Sequence, residues 1–391
     1  MSIESLIQQA LPRAIEIRRT IHSYPELGYD EHETAAIIRA ELTRLSIDFV
    51  AGIDNAPTAT VALIGDSKKP CVALRADIDA LPIHEQTGAS YASKRPGLMH
   101  ACGHDGHTAN LLGTAAVLKG MEKDLNRCVK LIFQPAEEGG AGADRLVKAG
   151  ALDGRIGPKV EVIYGLHGLP GLPHGLVSSR VGALLASTDT FVVKFIGRGC
   201  HGAFPHLGRD PIVAAAEAVI SLQQVVSREL DPTEPGVVTV GQFHAGTAEN
   251  VIPDEAMIEG TIRTLDPKVR TKLAEAVKRR CEHIAMSAGC QAVVSIDAGY
   301  PTTINHAAPT RTVESIARKH LGEDKWLTAA RPVMGGEDFA YYLEAVPGCF
   351  FMVGVSKPGQ PVWPLHSDRY DFPDDALPSC MRMFVELAVA E

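Results

Sequence analysis

Apolar and polar positions follow two periods along this chain. Ile3, Leu6, Ile7, Leu11, Ala14 and Ile15 recur at helical spacing, the pattern runs on to Ile21, and Pro25 stops it. Thr34 to Leu45 repeats the helical period. Ala59 to Ile64 and Cys71 to Ala76 are short apolar runs that predict strands. Thr108 to Met121 predicts a helix, Val129 to Phe133 a buried strand, Ala143 to Ala149 a short helix and Val160 to Leu166 another buried strand. Strands interleaved with helices predict a layered α/β sheet.

The pattern changes after Gly182. Thr188 to Ile196 alternates as a strand, Pro211 to Leu230 is a long amphipathic helix, and Val237 to Phe243 and Ala256 to Leu265 are strands. Pro267 to Ala288 is a second long helix and Cys290 to Ala298 a further strand. Strand, helix, strand, strand, helix, strand is the split β-α-β, ferredoxin-like order. Afterwards the chain returns to a helix (Pro309 to Leu321), a Gly-rich acidic turn (M-G-G-E-D-F), an apolar strand (Cys349 to Val355) and a last helix (Asp374 to Val389). The expectation is a discontinuous α/β domain, 1–183 and 299–391, carrying an inserted α+β domain over 184–298.

A length of 391 residues agrees with two domains. The net charge of −9, with no long basic stretch, points away from nucleic acid. No segment approaches the ~18 uninterrupted apolar residues of a membrane span. The first helix carries Glu4, Gln8, Gln9 and Arg13 within its apolar pattern and lacks the continuous apolar stretch of a secretory leader. The eight cysteines are scattered, without C-x-x-C spacing, so reduced thiols in a cytoplasm are expected. Most are ordinary small core residues. Cys102, between two histidines, is the exception.

The chemistry concentrates between Met99 and Glu138. M-H-A-C-G-H-D-G-H packs His100, Cys102, His104, Asp105 and His107 into eight residues, and Q-P-A-E-E-G-G sets Glu137 beside Glu138. Imidazole, thiolate and carboxylate hold divalent transition metals. Adjacent glutamates allow one to bind metal while the other moves a proton. Asp77 and Asp79 follow one predicted strand, the glutamates a second and His167 a third; His366 lies beyond the last. Open α/β sheets bind ligands at the carboxyl ends of their strands. Taken singly, the aspartates could cap a loop, the glutamates could be a solvated turn and His167 a satisfied core histidine; co-location carries the case. His22, His32, His84, His174, His244, His283, His306 and His320 read as ordinary.

The residues resemble the zinc-type metallopeptidase and amidohydrolase clan that includes hippurate hydrolase, N-acyl-amino-acid amidohydrolases, plant auxin-conjugate hydrolases, aminoacylase and carboxypeptidase G. The carriers are H-S-Y-P-E-L-G (22–28), R-A-D-I-D-A-L-P (75–82), M-H-A-C-G-H-D-G-H (99–107), Q-P-A-E-E-G-G (134–140), G-L-H (165–167), H-G-A-F-P-H (201–206), N-V-I-P (250–253), M-G-G-E-D-F (334–339) and L-H-S (365–367).

The resemblance implies a mixed-sheet, zinc-peptidase-like catalytic domain with a ferredoxin-like lid and dimerisation domain. It implies two divalent ions per subunit, zinc or manganese with cobalt or nickel as alternatives. Cys102 matches the shared ligand, and His104, His167, Glu138 and His366 the others. Glu137 matches the general base and Asp79 the acid that orients a ligand or tunes the base. Asp77 stands where the carboxypeptidase-type branch has a histidine ligand. His201 matches a histidine that stabilises the oxyanion in a neighbouring subunit's site. Asn250 and Arg263 match positions that hold a substrate carboxylate; without the resemblance, Arg263 would read as a surface charge. The implied enzyme is a cytoplasmic homodimer or larger homo-oligomer that cleaves N-acyl amino acids, hippurate-like or N-acetyl. A metallo-exopeptidase and a non-catalytic conjugate-binding relative are the alternatives. The thiol at the shared position leans away from the exopeptidase, because carboxypeptidase-type relatives carry aspartate there; the intact Glu137 argues against the binder.

Overall fold

The structure, a computed structural model, describes residues 2–390. It forms two compact units. One comprises Met1–Gly182, Ile304–Ala330 and Asp338–Glu391, the other Ala183–Thr303 and Arg331–Glu337.

The first unit is built on an eight-stranded mixed sheet. Its strand order is Asp48–Ile53, Ala56–Ile64, Cys128–Gln134, Cys71–Asp77, Val160–Pro173, Gly348–Ser356, Val177–Ser179 and Trp326–Thr328. The four central strands run parallel. Cys71–Asp77 and Cys128–Gln134 are buried at every position, which is why they read as near-continuous apolar runs, interrupted inside only by Arg75 and Lys130, instead of alternating ones. Helices Ile3–Ser23, His104–Gly120 and Leu377–Val389 pack on one another. Ile21, Leu74, Leu112, Leu131, Phe351 and Phe384 lie in the resulting core. Register sets the site: Asp77 pairs with Gln134 and Arg75 with Gly165, so His167 lies level with Asp77 across the sheet.

Two elements near the chemistry depart from their sequence patterns. The strand expected to end at Leu166 continues to Pro173, because Val353 and Gly354 pair with Gly168 and Leu169. His167 therefore lies inside a strand. The helix expected from Thr108 begins at His104. Gly103, at φ +86°, turns the chain through the left-handed region that glycine tolerates and opens the helix early.

The second unit carries a four-stranded antiparallel sheet in the order Gly236–Ala245, Glu255–Thr264, Ser187–Ile196, Gln291–Asp297. Along Ser187–Ile196 every other residue is buried, and Phe191, Val193 and Phe195 form the core with Leu222, Ile258 and Leu273. Helices Pro211–Gln224 and Pro267–Ser287 begin with proline after Asp210 and Asp266, whose carboxylates accept from the first free backbone N–H groups. This is the ferredoxin-like arrangement. The unit reaches past the expected 184–298 to Thr303, and it recruits 331–337, where Gly335 O accepts from Ala186 N–H and Val333 N–H donates to Leu184 O. No described helix is long and apolar enough to cross a membrane.

Candidate metal centre

Each donor is aimed by a neighbour. His104 Nδ1 lies 3.0 Å from the Asp79 carbonyl and 3.1 Å from Asp79 Oδ1. Both neighbours are acceptors, so Nδ1 carries the proton and Nε2 offers a lone pair. That Nε2 is buried without a hydrogen-bond partner. His167 Nδ1 donates to the Gly168 carbonyl at 2.8 Å, which turns its Nε2 to within 3.3 Å of Cys102 Sγ. Asp79 Oδ2 accepts from the Glu138 backbone N–H at 2.9 Å. Glu138 Oε1 stands 3.2 Å from His366 Nε2.

Among the described residues five sets of donor atoms gather within 4.8 Å of one another, three of them made of sequence-predicted site residues alone: Cys102 with His104 and His167; Cys102 with Glu138 and His366; and His104 with Glu137 and Glu138. Cys102 belongs to the first two. The sulfur can therefore be shared by two cations, one held also by two imidazoles and the other by a carboxylate and an imidazole. An orphaned buried imidazole nitrogen amid sulfur, nitrogen and oxygen donors fits a pair of divalent transition ions.

The backbone is strained at this point. Ala136 and Ala141, which flank the glutamate pair, hold φ of +53°, and His366 holds +65°. Left-handed conformations at non-glycine residues cost roughly 1–3 kcal/mol each and concentrate at functional sites.

The electrostatics suit cations. Burial, with Glu138, Glu137 and Asp77 nearby, pushes the Cys102 thiol well above its ordinary range. Burial would lower His104, but Asp77 and Asp79 overcome it and raise the imidazole to about 10. Burial would likewise raise Glu138, yet His366 and His104 hold it below the usual carboxylate range. Cys102 and His104 thus retain protons that bound cations would displace, and Glu138 is already ionised.

The remaining members of the dense segment do other work. His107 Nδ1 donates to Asp77 Oδ1 at 2.7 Å and its Nε2 accepts from Gly168 N–H at 3.0 Å, which occupies both nitrogens. Asp77 Oδ2 accepts from Arg75 at 2.6 Å. Burial would raise Asp77, but His104, Arg75 and His107 hold it well below the usual carboxylate range. Arg75 also reaches Gln134 and Asp338, and Asp338 N–H donates to Glu137 Oε1 at 3.4 Å. Arg75 is thus the hub of a buried network that links Asp77, through Asp338, to Glu137. Asp105 accepts from Arg18 at 3.0 Å and pairs with His22 Nδ1 at 2.9 Å. Burial opposes protonation of His22, but Asp105 outweighs it and raises the imidazole to about 10. His22, unremarkable in the sequence, thus helps fix the first turn of the helix that His104 opens. The signal was the H-S-Y-P-E-L-G motif; its partner lies far along the chain.

In the second unit, His201 and Asn250 come together. His201 pairs with Val251 in a two-stranded ribbon, and Asn250 O accepts from Gly202 N–H at 2.7 Å. His201 Nδ1 accepts from Ala203 N–H at 3.0 Å, leaving Nε2–H as the exposed donor. Arg263 pairs with Thr188, whereas the ribbon follows Ile196 at the other end of the same strand. At about 3.3 Å per residue, Arg263 and the ribbon are separated by roughly 25 Å of sheet. The unit does not bring Asn250 and Arg263 to one place.

Residues 73–390 match the model of Peptidase family M20/M25/M40. The chain belongs to that family. Relatives resemble it along most of its length. An N-acetyl-L-cysteine deacetylase of Bacillus subtilis (strain 168) is 43% identical over 346 residues, 87% of this chain and 80% of that protein. IAA-amino acid hydrolase ILR1-like 4 of Arabidopsis thaliana is 41% identical over 369 residues, 93% of this chain and 82% of that protein. The crystal structure of a dinuclear metal-binding peptidase of the M20 family from Bacillus subtilis superposes with a TM-score of 0.84 at 36% identity, covering 98% of each chain. As an M20 member the chain is a metal-dependent hydrolase of amide bonds, and the two donor groups sharing Cys102 fit a two-metal centre.

Proposed function

We propose that this chain is a cytoplasmic, homodimeric amidohydrolase that cleaves N-acyl amino acids into a carboxylic acid and a free amino acid. The observation that carries this reading is the gathering of Glu137 with His104 and Glu138, each of which belongs to a donor group that shares Cys102. The deacetylase and the auxin-conjugate hydrolase among its relatives support the substrate class. Free cysteines throughout the described chain agree with a reducing compartment.

Cys102, His104, His167, Glu138 and His366 would hold the two ions, zinc or manganese in the first instance, with cobalt or nickel as substitutes. When bound, the pair supplies Lewis acidity to the amide carbonyl and to the attacking water. Glu137 takes the proton of that water at its carboxylate as the new C–O bond forms. It then delivers the proton to the amide nitrogen as the C–N bond breaks. Asp79 keeps His104 in one tautomer and holds the Glu138 backbone in place. Arg263 and Asn250 grip the free carboxylate of the amino acid, the guanidinium through a two-pronged ion pair. His201 Nε2–H stabilises the oxyanion.

The separation of Arg263 from the ribbon within one unit favours a site completed by a second subunit, whose His201 and Asn250 enter it. Hydrolysis of hippurate, N-acetyl amino acids and dipeptides, measured side by side with defined metals, tests the reading. The acylated amino acids should turn over at least tenfold better than dipeptides; a dipeptide preference would replace it with an exopeptidase. His201→Ala and Glu137→Gln proteins, each inactive, should regain about a quarter of wild-type activity after mixing and subunit exchange. No recovery would place His201 in its own subunit's site or outside catalysis.

A further inference from the structure

Apart from His22, the motif that opens the sequence resemblance, H-S-Y-P-E-L-G, and the three residues that follow it have no part in the chemistry above. Their contacts give them one. Residues 26–31 touch both loops that carry the acidic groups. On one side, Glu26 O accepts from Ala80 N–H at 2.8 Å and Leu27 bridges to Ala80, next to Asp79. On the other, Glu31 Oε1 accepts from Ala136 N–H at 2.9 Å and Tyr29 Oη donates to the Gly140 carbonyl at 2.6 Å. The segment thus grips the Ala136–Gly140 turn at both ends, with Glu137 and Glu138 between them.

Three features show that the grip is tight. Glu31 is fully buried, and its other oxygen accepts from Thr58 Oγ1 at 2.7 Å. Tyr29 itself holds φ +69°, and its ring is covered by the Arg145 guanidinium at 3.8 Å. A β-carbon on Gly28 would stand 2.8 Å from Ala136 Cβ and 3.0 Å from Ala136 Cα, so the two backbones approach to a distance only glycine allows. The left-handed turn at Ala136 is thereby held from the amide side by a carboxylate and from the methyl side by a bare backbone. Burial raises Glu31 to about 7, so an ionisable group sits here against the solvation cost of its charged form.

We propose that Glu31 is a positioning residue, and that the 26–31 segment is a clamp fixing the Glu137–Glu138 turn against the Asp79 loop. The Glu31 carboxyl bonds to Thr58 and to the Ala136 amide, and it acts through that amide. The proposal rests on Glu137 being the base of the hydrolytic reading. Misplacing a catalytic group by about 1 Å costs on the order of a hundredfold in rate.

The experiment compares Glu31→Ala, Glu31→Gln and Gly28→Ala in the metal-loaded enzyme. Glu31→Ala should lower kcat by about a hundredfold while KM, metal content and melting temperature stay near wild type. Gly28→Ala should act in the same direction. Glu31→Gln, whose amide oxygen still accepts from Ala136 N–H, should recover most of the loss. Hydrogen exchange of the 134–142 peptide should quicken in Glu31→Ala and return to normal in Glu31→Gln, a readout independent of any substrate. Unchanged kcat and exchange in Glu31→Ala would overturn the clamp. Equal loss in Glu31→Ala and Glu31→Gln, or a loss that tracks melting temperature, would overturn it in favour of a folding role. If wild type turns over no acyl-amino acid, the hydrolytic reading falls, and the exchange result still decides the clamp.

Discussion

Glu137→Gln should lower kcat by roughly 10³–10⁴-fold and leave both metal ions in place. Glutamine has the same shape and can still accept from Asp338 N–H, which reaches Glu137 Oε1 at 3.4 Å. What it lacks is the ability to take a proton from water and return it to the leaving nitrogen. The two donor groups that share Cys102 do not include Glu137, so metal content by atomic emission should equal wild type. Product amino acid release gives the rate. A variant within tenfold of wild type would remove Glu137 from the role of base.

Cys102→Ala should be the other severe change, with activity reduced roughly 10⁴-fold or more and metal content falling at both positions together. No other donor belongs to both the His104–His167 and the Glu138–His366 groups. Losing His366 strips one group of a single ligand, whereas losing the sulfur opens both. The fold should persist, because a buried cysteine replaced by alanine leaves a small cavity. Cys102→Asp should restore part of the metal content, since a carboxylate can also bridge two cations. Full metal content in the alanine variant would show that the sulfur is not a ligand.

The elements around this centre were legible where burial is uniform. Cys71–Asp77 and Cys128–Gln134 are covered on both faces, and their apolar runs announce them. Asp48–Ile53 has an apolar run too, but at the sheet edge it is mostly exposed, so that run announces no buried strand. Val177–Ser179 and Trp326–Thr328 are too short to show a period. The strand holding His167 was read too short because G-L-P-G-L-P looks like a turn, and only pairing with Gly348–Ser356 keeps it extended.

The metal donors were visible as residue types at close spacing. Their division of labour was not. His104 and His107 look equivalent along the chain, yet His107 spends both nitrogens on Asp77 and Gly168. Asp77 gives no sign that Arg75 and His107 occupy its oxygens. Glu31 and His22 act through partners more than 80 residues away, Ala136 and Asp105. Nor does spacing reveal that antiparallel register carries Arg263 away from Asn250.

The short stretch 331–337 has a bearing on how the molecule can be taken apart. It supplies the partners of Ala186 N–H and Leu184 O, and the bridge from Val333 to Leu185, all within the second unit. Yet in sequence it is cut off from the rest of that unit by Ile304–Ala330. A cloned fragment ending at Thr303 would carry the four strands and both helices but leave those main-chain groups bare at its margin. The smaller body is therefore not a cassette that can be lifted out or grafted elsewhere as one continuous piece.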